Sequence, residues 1–271
     1  MKKNDYFKLT TAQQRMILEQ TAIKQGLPKQ AIEKDLWVTA ILQILFSLPC
    51  AENLVFKGGT SLSKVWKLIS RFSEDIDLAI DRAVFELEGD LTKKQVKRLR
   101  KASSLFVRDT LYQQLVEAVN RTPLKNLCQI EPEPDGEGDS TYPEPRSIFI
   151  RYQSVFDDEL DYIPPVVKVE AGARSLLEPY EETAITSIIE ETLPTISTTI
   201  ADVKVKTAAL LFRPNIIIPQ ISGMTTPSQH LCDLFFGQDF PIWQWLVPVF
   251  RLGVTNKTWI TSRNSSRDSY R

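Results

Sequence analysis

The spacing of apolar and polar positions predicts helices in three parts of the chain. Residues 11–25 place apolar side chains at helical intervals, and Gly26 and Pro28 interrupt the pattern. A second helical pattern, "KQAIEKDLWVTAILQILF", covers residues 29–46 and ends just before a proline. A third pattern, residues 92–119, is long, and its first half is rich in lysine and arginine. The chain is therefore predicted to begin with two helices and to carry a long, partly basic helix further on.

Shorter stretches have the patterns of strands. "NLVFKGG" predicts a short buried strand that runs into a glycine turn, and "TSLSKVWKLI", residues 60–69, predicts the helix that follows. "DIDLAI" alternates charged and apolar residues, which predicts a strand with one polar face. "RSIFIRYQSVF" and "PPVVKVEAG" predict two more strands, because they are rich in β-branched and aromatic residues. Residues 175–193 are mixed and predicted to be helical in part. The chain is thus expected to be α/β (α+β).

The C-terminal part of the chain follows neither pattern. After about Val205, apolar clusters are broken by prolines, and neither the helical nor the strand period lasts. Earlier, residues 131–145 are acidic and rich in proline and glycine, which predicts an exposed loop. We therefore divide the chain into an ordered domain, residues 1–205, and an atypical C-terminal segment, residues 206–271.

Composition narrows the classes of function. The 271 residues are 42% hydrophobic and 25% charged, and the formal net charge of −1 gives no general attraction to nucleic acids or membranes. The single histidine, His230, excludes multi-histidine metal sites and argues against a serine–histidine–acid triad. Three widely spaced cysteines fit a reducing compartment, and no stretch reaches the roughly 18 apolar residues of a membrane span. We therefore expect a cytoplasmic protein.

Candidate chemistry is concentrated in "FKGGTSLSKVWKLISRFSEDIDLAI", residues 56–80. Two glycines after a strand let the backbone turn sharply and approach a ligand, and the helix that follows presents free N–H groups that suit a phosphate. Thr60 and Ser61 add hydroxyl groups, and either Lys57 or Lys64 is available to add a cation. This turn is therefore predicted to bind phosphate.

Carboxylates follow the turn. Asp75 and Asp77 are two residues apart on the predicted strand, so both project from the same face. Adjacent carboxylates repel each other unless a cation lies between them, and Mg²⁺ (or Mn²⁺) takes oxygen ligands of this kind. Together with the turn they predict a site for a nucleoside triphosphate and metal ions. Glu170 is the candidate third carboxylate, and Lys168, on the same face, either neutralises phosphate or pairs with an acid.

The block "GGTSLSKVWKLISRFSEDIDL" resembles the signature of the AbiEii/AbiGii-type nucleotidyltransferase toxin family, which belongs to the DNA polymerase β-like superfamily. The similarity continues upstream through "IEKDLWVTAILQILFSLP" and "LVFKGG", and downstream through "VVKVEAGARSLLEPYEE". Because several blocks agree in order and spacing, the resemblance is specific. It implies a polymerase β-like core with a mixed sheet, N-terminal helices and a C-terminal helical part.

The resemblance also implies transfer of a nucleotide from a nucleoside triphosphate to an acceptor with Mg²⁺, and in some members the acceptor is tRNA. Such proteins are toxins of type IV toxin–antitoxin and abortive-infection systems, and the antitoxin is encoded nearby. The basic residues 93–101 would then hold an RNA backbone, unless they are only a solvated helix face. The sites implied are nucleotide-binding Gly58, Gly59, Thr60 and Ser61, beside Lys57, and the metal-binding, catalytic Asp75, Asp77 and Glu170.

The chain departs from the family pattern after the third acidic segment. Close members carry there a stretch resembling "ERTFWEK…LLH" and later an "RHYYDL"-like block, whereas this chain has "ADVKVKTAALLFRPNIIIPQ". Lys206 is the candidate remnant of the catalytic lysine in the first block. Two explanations stay open: the reading frame was lost near Phe212, which would leave a partly disordered tail, or the chain represents a divergent subfamily.

Three functions are compatible with these observations. The first is an RNA-modifying nucleotidyltransferase toxin with Mg²⁺. The second is a nucleotidyltransferase that acts on a hydroxyl of a small molecule or a protein. The third is an inactive, truncated remnant that only binds nucleotide or the antitoxin.

Overall fold

A mixed β-sheet lies at the centre of the fold, as the sequence predicts. The structure is a computed structural model and describes residues 3–68, 75–87, 89–134, 146–156, 163–173 and 179–208. All of these residues belong to the first of two units into which the chain divides, Met1–Gly237. The described strands are β1 (Asn4–Asp5), β2 (Leu54–Lys57), β3 (Asp75–Ile80), β4 (Cys128–Pro132), β5 (Arg146–Tyr152), β6 (Val166–Gly172), β7 (Tyr180–Ala184), β8 (Ile196–Ser197) and β9 (Lys204–Ala208).

Seven of the described strands form the central sheet in the order β4-β5-β6-β3-β2-β9-β7. The β3–β6 and β2–β9 pairs are parallel, and the other neighbours are antiparallel. Strands β1 and β8 form a separate short parallel pair. Because β3 and β2 are central, the residues at the glycine turn and on "DIDLAI" lie in the middle of the sheet. The mixed sheet confirms the predicted α/β fold class.

Helices surround this sheet and largely follow the predicted bounds. The first helix has the predicted ends, because Thr10 and Gln13 form a capping box and Gly26 ends the helix in the left-handed conformation. No helix in the described ranges is both long and apolar enough to cross a membrane. The helices are α1 (Thr11–Gln25), α2 (Lys29–Leu45), α3 (Gly58–Lys64), α4 (Lys93–Leu105), α5 (Tyr112–Val119) and α6 (Ile188–Thr192), and a π-helical segment, Phe106–Leu111, joins α4 to α5.

Some elements differ from the prediction. Helix α3 begins at Gly58, two residues early, because the glycine turn is itself the first turn of the helix. The sequence pattern does not predict β7, whose residues are all exposed or half-exposed because it is an edge strand. It also does not predict β4 or β9, which are five residues long. The predicted acidic loop begins in β4, and its residues 135–145 lie outside the described residues, as do residues 209–271 of the atypical segment.

The strand alternation separates an apolar face of the sheet from a polar one. Phe56, Ile76 and Leu78 are fully buried and belong to one hydrophobic core with the apolar residues of α2, α4 and α5. Lys57, which follows Phe56, and Asp77, which lies between Ile76 and Leu78, therefore project from the opposite face. Burial of one face of the sheet thus fixes which side the candidate carboxylates occupy.

Helix α2 carries three consecutive charged residues that are largely buried and hold loops in place. The Glu33 carboxylate accepts hydrogen bonds from the Ser154 hydroxyl (2.6 Å) and the Val155 N–H (2.8 Å). The Lys34 ammonium, 2% exposed, donates to the Pro164 carbonyl oxygen (3.1 Å). These contacts attach α2 to the segments after β5 and before β6. Buried charges are tolerated here because each has a hydrogen-bonding partner.

The third of these residues, Asp35, connects three helices. Its Oδ1 lies 2.5 Å from the Nζ of Lys64, and the two side chains are only 12% and 5% exposed. Its Oδ2 accepts a hydrogen bond from the backbone N–H of Ile188 (2.7 Å). One carboxylate therefore attaches α2 to the last residue of α3 and the first residue of α6. Of the two lysines that the sequence offers as a phosphate-binding cation, Lys64 is committed to Asp35.

We expect Lys64→Met to lower the free energy of unfolding by about 3–5 kcal/mol, because it leaves the Asp35 carboxylate buried without its cation. Lys67→Met is the matched control, since the ion pair between Lys67 and Glu191 (2.9 Å) is exposed and should contribute at most about 1 kcal/mol. Urea unfolding of the two variants measures the difference. Similar losses in both variants would contradict the importance of the buried ion pair.

Candidate functional site

The register of the sheet brings the predicted carboxylates together. In the parallel β3–β6 pair, Asp75 lies opposite Lys168 and Asp77 lies opposite Glu170. On the other side of β3, Lys57 at the end of β2 lies opposite Asp77. Residues paired across neighbouring strands project from the same face, so these five side chains form one polar cluster. The site therefore combines residues that are more than a hundred positions apart in the chain.

A short ion pair occupies part of this cluster. The Lys168 Nζ donates to the Glu170 Oε2 at 2.6 Å, and the two side chains are 35% and 29% exposed. Burial by itself would lower the pKa of Lys168, but the hydrogen bond to Glu170 and the charges of Glu170, Asp75 and Asp77 outweigh it and raise the pKa. Lys168 therefore remains an ammonium ion and holds the third carboxylate.

The environment of Asp77 is unfavourable to its charged form. Burial is the main cause that raises the pKa of Asp77 from its ordinary value of 3.8 to about 6. The positive charge of Lys57 acts in the opposite direction, whereas the negative charges of Glu170 and Asp75 raise the pKa further. Burial, more than the neighbouring charges, therefore makes ionisation of Asp77 unfavourable.

The glycine turn packs directly against Asp77. Gly58 has a φ of +77°, which side-chain-bearing residues rarely adopt. A Cβ atom at this position would overlap the Asp77 carboxylate, lying 2.8 Å from its Cγ and 2.9 Å from its Cβ. Glycine is thus required for two reasons, the backbone conformation and the close approach of β3. The predicted phosphate turn and the predicted metal strand are in contact.

The two hydroxyl groups of the turn are used to hold it in place. The Thr60 hydroxyl donates to the Asp75 carbonyl oxygen, and the Ser61 hydroxyl is hydrogen-bonded to the Thr207 hydroxyl at 2.6 Å. Thr207 in turn donates to the Phe56 carbonyl oxygen at 3.2 Å. The side chains of Thr60 and Ser61 are buried, so they attach the turn to β3 and β9. Sequence reasoning missed Thr207, although the alternation of "KVKTA" offers a weak signal for a strand at this point.

Lys206 is not brought into the cluster. Its Nζ donates to the Glu52 carbonyl oxygen at 2.9 Å and lies 5.3 Å from the centre of the Tyr180 ring. Glu52 lies just before β2, whereas Lys57 and the glycine turn are at the other end of that strand. A catalytic contribution from Lys206 stays a prediction.

The carboxylate oxygens of the cluster suit a hard divalent cation, although the carboxylates do not point at one common position. Among the described residues, no group of three His, Cys, Asp or Glu side chains is arranged to hold a metal ion. The Lys168–Glu170 ion pair gives a physical reason, because the third carboxylate already has a cation. Asp75 and Asp77 still offer carboxylate oxygens on one face, and a cation beside Asp77 would offset the burial that raises its pKa. These residues therefore fit Mg²⁺ or Mn²⁺ by their chemistry.

Comparison with known proteins identifies one family. The family described as "Nucleotidyl transferase AbiEii toxin, Type IV TA system" matches residues 41–215, more than half of the 271-residue chain. The matched segment contains the glycine turn, the two aspartates and Glu170. No curated protein matches the chain.

Gly58→Ala is expected to destabilise the protein more than Gly26→Ala does. Both glycines have positive φ angles, +77° and +66°, so both substitutions carry a similar backbone strain of about 1 kcal/mol. A Cβ at Gly26 meets nothing within 4 Å, whereas a Cβ at Gly58 displaces the Asp77 carboxylate. The difference between the variants in urea unfolding therefore reports the contact with Asp77. Equal destabilisation would contradict it.

The raised pKa of Asp77 predicts a specific pH dependence of stability. Between pH 3.8 and about 6 the unfolded chain has released this proton while the folded protein retains it, so the free energy of unfolding falls as the pH rises. The loss is complete above about pH 6 and amounts to at most about 3 kcal/mol, at 1.36 kcal/mol for each pKa unit.

Asp77→Asn removes this titration. We expect the variant to be more stable than the wild type at pH 7.5, in the absence of divalent metal, and to lose this advantage below pH 3.8. Asp81→Asn is the control, because its side-chain oxygen can still accept from the Ala83 N–H. Thermal unfolding across the pH range measures the effect, and a variant less stable than the wild type at pH 7.5 would refute the prediction.

Proposed function

This chain belongs to the AbiEii family of nucleotidyltransferase toxins, which act in type IV toxin–antitoxin systems, and we propose that it transfers a nucleotide from a nucleoside triphosphate to an RNA. The observation that supports the proposal is the contact between Gly58 and Asp77, because it joins the predicted phosphate-binding turn to the row of carboxylates proposed to bind metal. The proposed setting is the cytoplasm, and the proposed partner is an antitoxin encoded nearby.

The triphosphate is proposed to bind at the beginning of α3. Its oxygens would accept hydrogen bonds from backbone N–H groups of Gly58, Gly59, Thr60 and Ser61, because no side chain caps this end of the helix. Lys57 immediately precedes the turn and would add a positive charge. The hydroxyls of Thr60 and Ser61 would support binding indirectly, since they hold the turn against β3 and β9.

The metal ligands are proposed to be Asp75, Asp77 and Glu170. A bound Mg²⁺ or Mn²⁺ would neutralise phosphate charge, favour ionisation of the acceptor hydroxyl and stabilise the leaving pyrophosphate. A bound cation would lower the pKa of Asp77 again, because a nearby positive charge favours the carboxylate. Glu170 would either complete the metal site or activate the acceptor hydroxyl. Lys206 stays the candidate for the family's catalytic lysine, although it would have to leave its contact with Glu52.

The exposed face of α4 supports RNA as the acceptor. The helix contains no acidic residue, and its cations lie in its first three turns. Two of them, Lys93 and Lys94, lie at the N-terminal end, where positive charge is unfavourable to the helix dipole. Lys93, Lys97 and Lys101 are spaced four residues apart and repel one another. A phosphate backbone would remove both costs. The cations with exposed side chains are Lys93, Lys94, Lys97, Arg98 and Lys101.

The proposal predicts labelling of RNA that depends on Asp77. Wild-type protein is incubated with Mg²⁺, each radioactive nucleoside triphosphate in turn, and separate pools of total RNA, protein and metabolites. We expect label in the RNA pool, loss of labelling in Asp77→Asn and retention in the matched control Asp81→Asn. The Asp77 variant fails because an amide cannot replace the charge of a metal-binding carboxylate.

Other outcomes would identify a different function. Label only in the protein or metabolite pool would indicate a transferase with another acceptor. Thermal stabilisation by nucleotide without labelling of any pool would indicate a remnant that only binds nucleotide. Undiminished labelling by Asp77→Asn would remove the site assignment.

A further inference from the structure

Lys168 is itself part of the carboxylate cluster. It is opposite Asp75 in the sheet register, and it precedes Glu170 by two residues on the same face of β6. Its ammonium group is hydrogen-bonded to Glu170 at 2.6 Å. Among the described residues, it is the cation that directly contacts the candidate third metal ligand.

We propose that Lys168 is a built-in cation that competes with the divalent metal for Glu170 and releases this carboxylate when a triphosphate arrives. In this role Lys168 is a positioning residue, because it acts on the metal through Glu170. The triphosphate offers the ammonium group another anionic partner, and Glu170 can then turn to the metal. This inference rests on the proposed function, since it concerns the metal and nucleotide of the same site.

The geometry favours competition over simultaneous binding. A charge-assisted hydrogen bond of 2.6 Å uses the Oε2 lone pair that points toward Lys168, and a positive ion close by would be repelled by the ammonium group. The absence of a converged group of three metal-ligating side chains in the described part of the chain agrees with this arrangement. Strand β6 lies between β5 and β3, so its backbone is fixed by hydrogen bonds on both sides. Exchange of partners therefore requires only side-chain rotation, which the partial exposure of both side chains permits.

A purely structural ion pair makes a different prediction. Such a pair would stabilise the sheet slightly, and its removal would change stability without affecting metal affinity. The Arg151–Glu131 pair, which joins β5 to β4 at 2.8 Å, is an ion pair of this kind on the same sheet. It provides a matched control, because Arg151→Met also removes one cation from the sheet.

The test measures Mn²⁺ binding by electron paramagnetic resonance, without nucleotide, to the full-length wild type and to Lys168→Met, Glu170→Gln, the double variant and Arg151→Met. We expect Lys168→Met to bind Mn²⁺ about fivefold more tightly, the scale of a partly exposed ion pair. The gain in Mn²⁺ affinity from Lys168→Met should be smaller in the Glu170→Gln background, because Lys168 acts through the Glu170 carboxylate. Arg151→Met should bind Mn²⁺ as the wild type does. Thermal unfolding verifies that each variant is folded.

A second measurement tests the release step. A non-hydrolysable nucleoside triphosphate should raise the Mn²⁺ affinity of the wild type more than that of Lys168→Met, in which Glu170 is already free. Unchanged or weaker Mn²⁺ binding by a folded Lys168→Met would overturn the inference. An equal gain in Mn²⁺ affinity from Lys168→Met in the wild-type and Glu170→Gln backgrounds would also overturn it. If Lys168→Met binds Mn²⁺ more tightly while no pool is labelled by the wild type, the inference stands and the proposed transfer to RNA fails.

Discussion

The close contact between Gly58 and the Asp77 carboxylate is the constraint on which the rest of the site depends. It brings the first turn of α3 onto β3 at a distance that any side chain at residue 58 would prevent. The hydrogen bond from Thr60 to the Asp75 carbonyl oxygen fixes a second point of the same contact. With α3 held there, the sheet register places Lys57, Asp77 and Glu170 in one row. The glycine turn and the carboxylate cluster adjoin because of this packing.

This arrangement costs stability, and other parts of the fold offset the cost. Burial of Asp77 among like charges raises its pKa to about 6, so the carboxylate is unfavourable at neutral pH. The three charged residues of the block "IEKDLW" in α2 each bind a different part of the structure. Asp35 holds the C-terminal end of the same helix α3 whose first residue contacts Asp77. This block therefore has a structural role: through Asp35 it fixes the helix that carries the turn.

The sequence predicted the faces of the strands but not the register between them. The alternation in "DIDLAI" and "VVKVEAG" was sufficient to group Asp75 with Asp77, and Lys168 with Glu170, because the side-chain period of a strand is two. Nothing in either stretch indicates that Asp77 pairs with Glu170, since register depends on packing between distant segments. The strands β7 and β9 escaped prediction for a related reason. Strand β7 is an edge strand without an apolar face, and β9 is five residues long with only Val205 and Ala208 as apolar residues. Consequently the positions of Thr207 and Lys206 were also not predicted.

The charge balance of the site favours joint binding of metal and nucleotide. Three carboxylates and two ammonium groups leave one net negative charge among Lys57, Asp75, Asp77, Lys168 and Glu170. A triphosphate that binds alone is repelled by this net negative charge. A metal ion that binds alone is repelled by the ammonium group of Lys168. When the metal ion and the triphosphate bind together, both repulsions are offset, because the ion neutralises the carboxylates while the phosphates attract the lysines. By thermodynamic linkage, each must then raise the affinity for the other by the same factor. A site of this composition therefore suits a metal–nucleotide complex better than either component alone.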